Sequence, residues 1–265
     1  MSVLRVGGIE LGYEVAGAGP AVVLLHGFPF NRSMWREQVE VLSQSRRVIT
    51  PDLRGHGETS AMDEAATMER MAEDTTALLD ELGIERAVVG GLSMGGYVAL
   101  AFYRLFPERV RAMVLADTRA TPDTEEARRT REETAQRALK EGMGAIVETM
   151  LPKLVAPATL EGNAEVLSRL REMMERTNPV GAASALRGMA LRRDQTDLLA
   201  RIDVPVLVVV GDSDAVTPPK DAEAMHAAIA GSHLQVIEGA GHVSNMERPE
   251  EFNRALLEFL DALEA

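Results

Sequence analysis

Short, unbroken apolar runs alternate along the chain with longer stretches in which apolar residues recur every three or four positions. The runs fall at 22–25, 48–49, 87–89, 113–116 and 204–210. They are continuous, not alternating, which predicts strands buried on both faces. Helical patterns lie between them, at 33–42, 68–82, 94–106 and 221–229, and Pro107 stops the third. Strands that alternate with helices form βαβ units. The expectation is therefore an α/β architecture, a mainly parallel twisted sheet with helices on both faces. The N-terminus differs: 4–6 and 9–14, joined through Gly7-Gly8, predict an antiparallel hairpin at the sheet edge. The stretch 233–237 predicts a further strand, and 248–263 a final helix that starts at Pro249.

One region breaks the rhythm. From 121 to 195 there is no strand pattern. Four helical stretches take its place, at 123–140, 145–155, 164–176 and 180–191, with Thr121-Pro122 as the entry. Apolar residues recur there at helical spacing: Met143, Ile146, Met150, Leu151, then Leu167, Leu170, Met173 and Met174. Most of these serve packing. The segment as a whole reads as a helical cap, 121–195, inserted into a core of 1–120 and 196–265, with an apolar underside that roofs a pocket. Met143, Met150, Met173 and Met189 are its pocket candidates, because methionine is an adaptable filler.

Composition removes several function classes. The 265 residues carry 28 Lys+Arg and 41 Asp+Glu, a net charge of −13. That balance argues against a nucleic-acid partner and against an anionic membrane surface. There is no cysteine, so disulfides, thiolate metal sites and a cysteine nucleophile are excluded. The five histidines never fall at a metal-ligand spacing, and no nucleotide-binding glycine pattern occurs; neither metal nor cofactor is expected. No apolar run reaches signal-peptide or membrane-span length, which gives the expectation of a soluble, cytoplasmic chain.

Gly91-Leu92-Ser93-Met94-Gly95 matches G-x-S-x-G. It follows the predicted strand at 87–89 and opens the predicted helix at 94–106. A strand–turn–helix elbow lifts a serine hydroxyl above a sheet, and small flanking residues make so tight a turn possible. A serine hydroxyl is a weak nucleophile until a base takes its proton, and the base needs an acid to orient it. His242, in Gly239-Ala240-Gly241-His242, is the candidate base. Asp214, in Gly211-Asp212-Ser213-Asp214 after the strand at 204–210, is the preferred acid. Asp117, after the run at 113–116, is the alternative. Asp212 is nearer the strand end and suits the turn backbone.

These motifs together resemble the α/β-hydrolase superfamily, over essentially the whole chain. His26-Gly27-Phe28-Pro29 resembles its HG loop, and Asp52-Leu53-Arg54-Gly55-His56-Gly57 another of its loops. GLSMGGYVA, Ala116–Ala120 and SDAVTPP resemble bacterial carboxylesterases with a four-helix cap. The resemblance implies the α/β-hydrolase fold and a serine hydrolase that cleaves small to medium carboxylic esters. Ser93 would carry the acyl group, His242 would be the base and Asp214 would orient it. The backbone N–H groups of Phe28 and Met94 would form the oxyanion hole, with Phe28 also lining the acyl pocket. His26, Arg54 and His56 read as loop-shaping residues and Trp35 as core. The implied partner is a small-molecule ester. Enol-lactonase, perhydrolase and iminopeptidase are alternatives within the same fold. The first would need a cation above Ser93, such as Arg187, Arg192 or Arg193. An iminopeptidase would need cap carboxylates, such as Glu148, Glu165 or Glu172. A receptor or regulator that keeps the triad is the non-enzyme alternative.

Overall fold

The computed structural model describes residues 2–6 and 8–264. Its sheet has eight strands: β1 (Ser2–Val6), β2 (Ile9–Ala16), β3 (Ala21–Leu25), β4 (Arg47–Pro51), β5 (Ala87–Leu92), β6 (Val110–Ala116), β7 (Val206–Gly211) and β8 (His233–Ile237). Their order is β1-β2-β4-β3-β5-β6-β7-β8. β1 and β2 pair antiparallel, as do β2 and β4; every other pair is parallel. The expected edge hairpin is present, in a register that runs from Ser2 opposite Tyr13 to Val6 opposite Ile9. Gly7, expected in its turn, lies outside the described residues.

The helices are α1 (Arg36–Leu42), α2 (Met68–Glu81), α3 (Met94–Leu105), α4 (Glu125–Glu141), α5 (Met143–Leu154), α6 (Pro157–Gly162), α7 (Ala164–Arg176), α8 (Pro179–Ala190), α9 (Thr196–Leu199), α10 (Pro219–Ala228), α11 (Ser244–Glu247) and α12 (Pro249–Ala262). Alternate residues of the central strands feed two cores. Val23, Leu25, Val89 and Met113 join the core built with α2 and α3. Val22, Leu24, Val88 and Val114 join the one built with Trp35, α1 and α12. Both faces are covered, which is why these strands carry no polar alternation. Trp35 is buried with its ring 6.1 Å from Phe252.

Among the described residues six helices lie between β6 and β7; α9 follows the segment 121–195, which itself holds five helices, not four. The extra one is α6, whose six residues are too few to carry a helical period; Pro157 begins it. The five helices extend both cores: Met143 and Met189 join the first, Leu151 and Met173 the second. Both ends of the segment meet where the Gln195 N–H donates to the Ala120 carbonyl at 2.9 Å. Among the described residues no helix is long and apolar enough to cross a membrane.

Candidate active site

The chain leaves β5 through Ser93, which has φ 54° and ψ −111°. A positive φ at a non-glycine residue costs about 1–3 kcal/mol and persists only when its surroundings impose it. Here the Ser93 N–H donates to Ala116 O at 2.9 Å, and the Thr118 hydroxyl donates to Ser93 O at 2.8 Å. A Cβ on Gly91 would run into the Gly95 carbonyl, and one on Gly95 into the Leu25 carbonyl. Close approach of backbone to backbone thus explains both glycines that flank the serine.

His242 follows β8 and Asp214 follows β7. The Ser93 hydroxyl donates to His242 Nε2 at 2.8 Å, and His242 Nδ1 donates to Asp214 Oδ2 at 2.8 Å. That carboxylate selects the tautomer with a free Nε2 lone pair toward serine. The Thr217 hydroxyl donates to the same Oδ2 at 2.7 Å, and the Val216 and Thr217 N–H groups donate to Oδ1 at 2.8 and 2.9 Å. Burial pushes the Asp214 carboxyl up, but His242 and the Thr217 donors outweigh it and hold it below the ordinary carboxylate value. The arrangement of the three side chains fits a Ser–His–Asp triad.

Asp117 stands apart from that relay. It ends β6 at φ 43°, fully buried. One oxygen accepts the Gly211 N–H at 2.9 Å; the other lies 2.5 Å from the Ser244 hydroxyl. Burial, and then the charge of Asp214, raise its carboxyl well above the usual range. His26 bridges two loops: Nδ1 donates to Gly27 O at 2.9 Å, and Nε2 accepts the Leu53 N–H at 2.8 Å. Arg54 forks onto Asp74 at 2.9 and 2.7 Å, and His56 Nδ1 meets Arg54 O at 3.1 Å.

Met94 is the first residue of α3, where a helical N–H has no partner inside its helix. Phe28 follows β3, and among the described residues no backbone carbonyl takes its N–H. A cavity of about 680 Å³ opens at Phe28 and is also lined by Met150, Leu186, Arg119, Asp123 and Arg131. Met143 and Met189 are packed in the core, with Met189 sulfur 3.4 Å from Arg131. Met173 lines a separate cavity of about 180 Å³, beside Arg36 and Arg169. Arg187 is engaged by Glu132 at 3.1 Å, and Arg192 by Asp123 at 2.6 Å, over the Tyr97 ring. Arg193 reaches only to 3.9 Å from Glu69. Glu148 and Glu172 are paired with Arg171 and Arg176 near the surface, and Glu165 is exposed.

Three neighbours escaped sequence reasoning. Thr217 lies three residues after Asp214, the spacing of a carboxylate that caps its own turn, which was a usable signal. Arg119 had none, because it sits in an irregular loop. Glu247 had none either; a glutamate ahead of a helix normally reads as solvated, yet this one is buried.

The family profile described as the alpha/beta hydrolase fold matches residues 20–249. The chain is 32% identical to 3-oxoadipate enol-lactonase 2 of Acinetobacter baylyi, over 94% of this chain and 92% of that one. Among solved structures it is similar to a thermophilic esterase from Thermogutta terrifontis, malate bound, with a TM-score of 0.96 and 44% identity over 99% of this chain and 97% of that one. It is also similar to the enol-lactonase from Burkholderia xenovorans LB400, with a TM-score of 0.92 and 32% identity over 98% and 100% of the two chains. Sheet order, elbow and relay agree with these likenesses, and the chain belongs to the α/β-hydrolase family.

Proposed function

We propose that the protein is a carboxylesterase acting on small to medium, uncharged esters. The observation that carries this reading is the Ser93–His242–Asp214 relay, two hydrogen bonds of 2.8 Å, set at a strained elbow; Phe28, the oxyanion-hole residue in this reading, lines the cavity of about 680 Å³. His242 Nε2 takes the Ser93 proton as Oγ attacks the ester carbonyl carbon. The carbonyl electron pair moves to its oxygen, where the Phe28 and Met94 N–H groups meet the charge. The tetrahedral adduct collapses, the alkoxide leaves with the proton from His242, and the acyl group stays on Ser93. Water then attacks with His242 again as base, releasing the acid and restoring the hydroxyl.

The cavity lining supports a neutral substrate. Of the two arginines in its wall, Arg131 is paired with Asp123, and Arg119 is turned to Asp221 and the Val216 carbonyl. The five helices of 121–195, α4 to α8, act, in this reading, as a cap that excludes water and limits substrate size. Enol-lactonase action is the second reading. It is favoured by the enol-lactonases among the similar proteins and by Arg119 in the cavity wall.

Initial rates on p-nitrophenyl esters of increasing chain length, set beside an anionic lactone, separate the two. Neutral esters are expected to turn over faster. A wide preference for the lactone overturns the esterase reading. Ser93→Ala is expected to lose nearly all hydrolysis while keeping its fold, and an organophosphonate is expected to label Ser93 in the parent enzyme.

A further inference from the structure

Resting on that reading, we infer that Glu247 is a positioning residue that couples the seating of the α5–α6 junction to the imidazole of His242. Glu247 belongs to α11, five residues after His242, and is 3% exposed. Its Oε1 accepts the Gly241 N–H at 2.7 Å, and its Oε2 accepts the Ala156 N–H at 2.8 Å. Val243 and Thr159 also act on this carboxyl, each lowering its pKa. It therefore takes the N–H that precedes His242 and, with the same group, the N–H at the start of α6.

Two further contacts stitch the same segments. The His242 N–H donates to Leu154 O at 2.9 Å. A Cβ on Gly241 would meet Ala156 N at 2.6 Å and Val155 Cα at 2.8 Å, so the two backbones touch. The loop that carries the base is hung from residues 154–156 and held in register by one buried carboxylate. Nothing in the proton relay requires this: Asp214, with Thr217 beside it, fixes the ring's tautomer. What Glu247 adds is the height and tilt of the main chain beneath the ring. A shift of the α5–α6 junction is transmitted to Nε2, so a substrate that seats these helices also aligns the base. Misalignment near 1 Å can lower turnover on the order of 100-fold.

The test uses Glu247→Gln, and Thr159→Val to weaken only the tie on the α6 side. Thr159 is remote in sequence from every relay residue and its truncation keeps shape. Each variant is checked for native circular dichroism, then for kcat and KM on a short-chain p-nitrophenyl ester, and for the low-field proton resonance of the His242–Asp214 hydrogen bond. Glu247→Gln is expected to lower kcat about 10- to 100-fold with KM within about two-fold, and to shift or broaden the resonance. Thr159→Val is expected to lower kcat about three- to ten-fold in the same pattern. Glu247→Asp, which keeps the charge and two acceptors, is expected to recover part of the kcat. If folded Thr159→Val retains parental kcat and resonance, the coupling is overturned, whether or not Glu247→Gln folds. Phosphonate labelling of the parent separates this failure from failure of the esterase reading: an unlabelled Ser93 removes the reading, a labelled Ser93 with a silent Thr159→Val removes only the coupling.

Discussion

Asp214 and Asp117 are two buried carboxyls at neighbouring strand ends, and their surroundings shift their pKa values in opposite directions. Asp214 receives three donors besides His242 and is held below the ordinary carboxylate value. Asp117 is raised well above it, first by burial and then by the charge of Asp214. Two like charges this close do not both ionise readily, and it is Asp117 that holds its proton more tightly. A neutral carboxyl is close to an amide in shape and charge. Asp117→Asn is therefore expected to keep kcat within a few-fold. Asp214→Asn removes the anion that orients His242 and is expected to lower kcat by roughly 10³- to 10⁴-fold. Steady-state rates at one pH decide it; a severe Asp117→Asn with a mild Asp214→Asn would make Asp117 the acid. Residue types and chain order put Ser93, Asp214 and His242 forward from the sequence, with Asp117 as the rival. Only the fold separates the two aspartates, because their roles depend on which one faces the imidazole.

At the scale of elements, the central strands were legible because burial on both faces leaves them as unbroken apolar runs. β4 showed only Val48 and Ile49, because Arg47, Thr50 and Pro51 hide its ends in the pattern. β7 starts at Val206, after Pro205, although the apolar run begins at Val204. The α5–α6 junction was hidden by length: α6 has fewer than two turns. The helical faces of α5 and α7 looked alike in sequence, each with two methionines and two leucines, yet they point into different spaces. Met150, on α5, lines the cavity that opens at Phe28, whereas Met173, on α7, lines the smaller one beside Arg169. Shortening Met150 to Ala frees room on the substrate side. The chain-length optimum on p-nitrophenyl esters is expected to move to a longer acyl group, while Met173→Ala leaves the profile in place. An unchanged Met150→Ala profile would separate that cavity from the acyl group.

For the whole molecule, the loops after β3, β5, β6, β7 and β8 converge at one edge of the sheet, where parallel α/β folds gather their sites. That convergence also buries two histidines, His26 and His56. Burial lowers the His26 pKa to about 4 and the His56 pKa to about 3, with repulsion from His26 as the next cause at His56. Both folded values lie below the 6.5 of a free imidazole. The folded chain thus keeps these rings neutral, while the unfolded chain takes up protons as pH falls below about 6.5. Their contribution to stability is complete above that value and is lost as pH falls, down to about 4 for His26 and about 3 for His56. The raised carboxyls of Asp52, Asp74, Asp117 and Glu247 act in the opposite sense; their contribution is complete below the unfolded carboxylate value and is lost as pH rises from there through their raised folded values. A raw acid-stability curve mixes the two, so the histidine part is read as parent minus variant. His26→Gln keeps a donor and an acceptor for Gly27 O and the Leu53 N–H but removes the titration. The unfolding free energy of the parent, measured with urea, is expected to exceed that of the variant most at about pH 7. The gap should then narrow by about 2–3 kcal/mol on approaching about pH 4.5, the size that follows from a shift of this magnitude. If the parent and His26→Gln curves stay parallel across that range, His26 is protonated as easily in the folded chain as in the unfolded one, and burial is not what governs it.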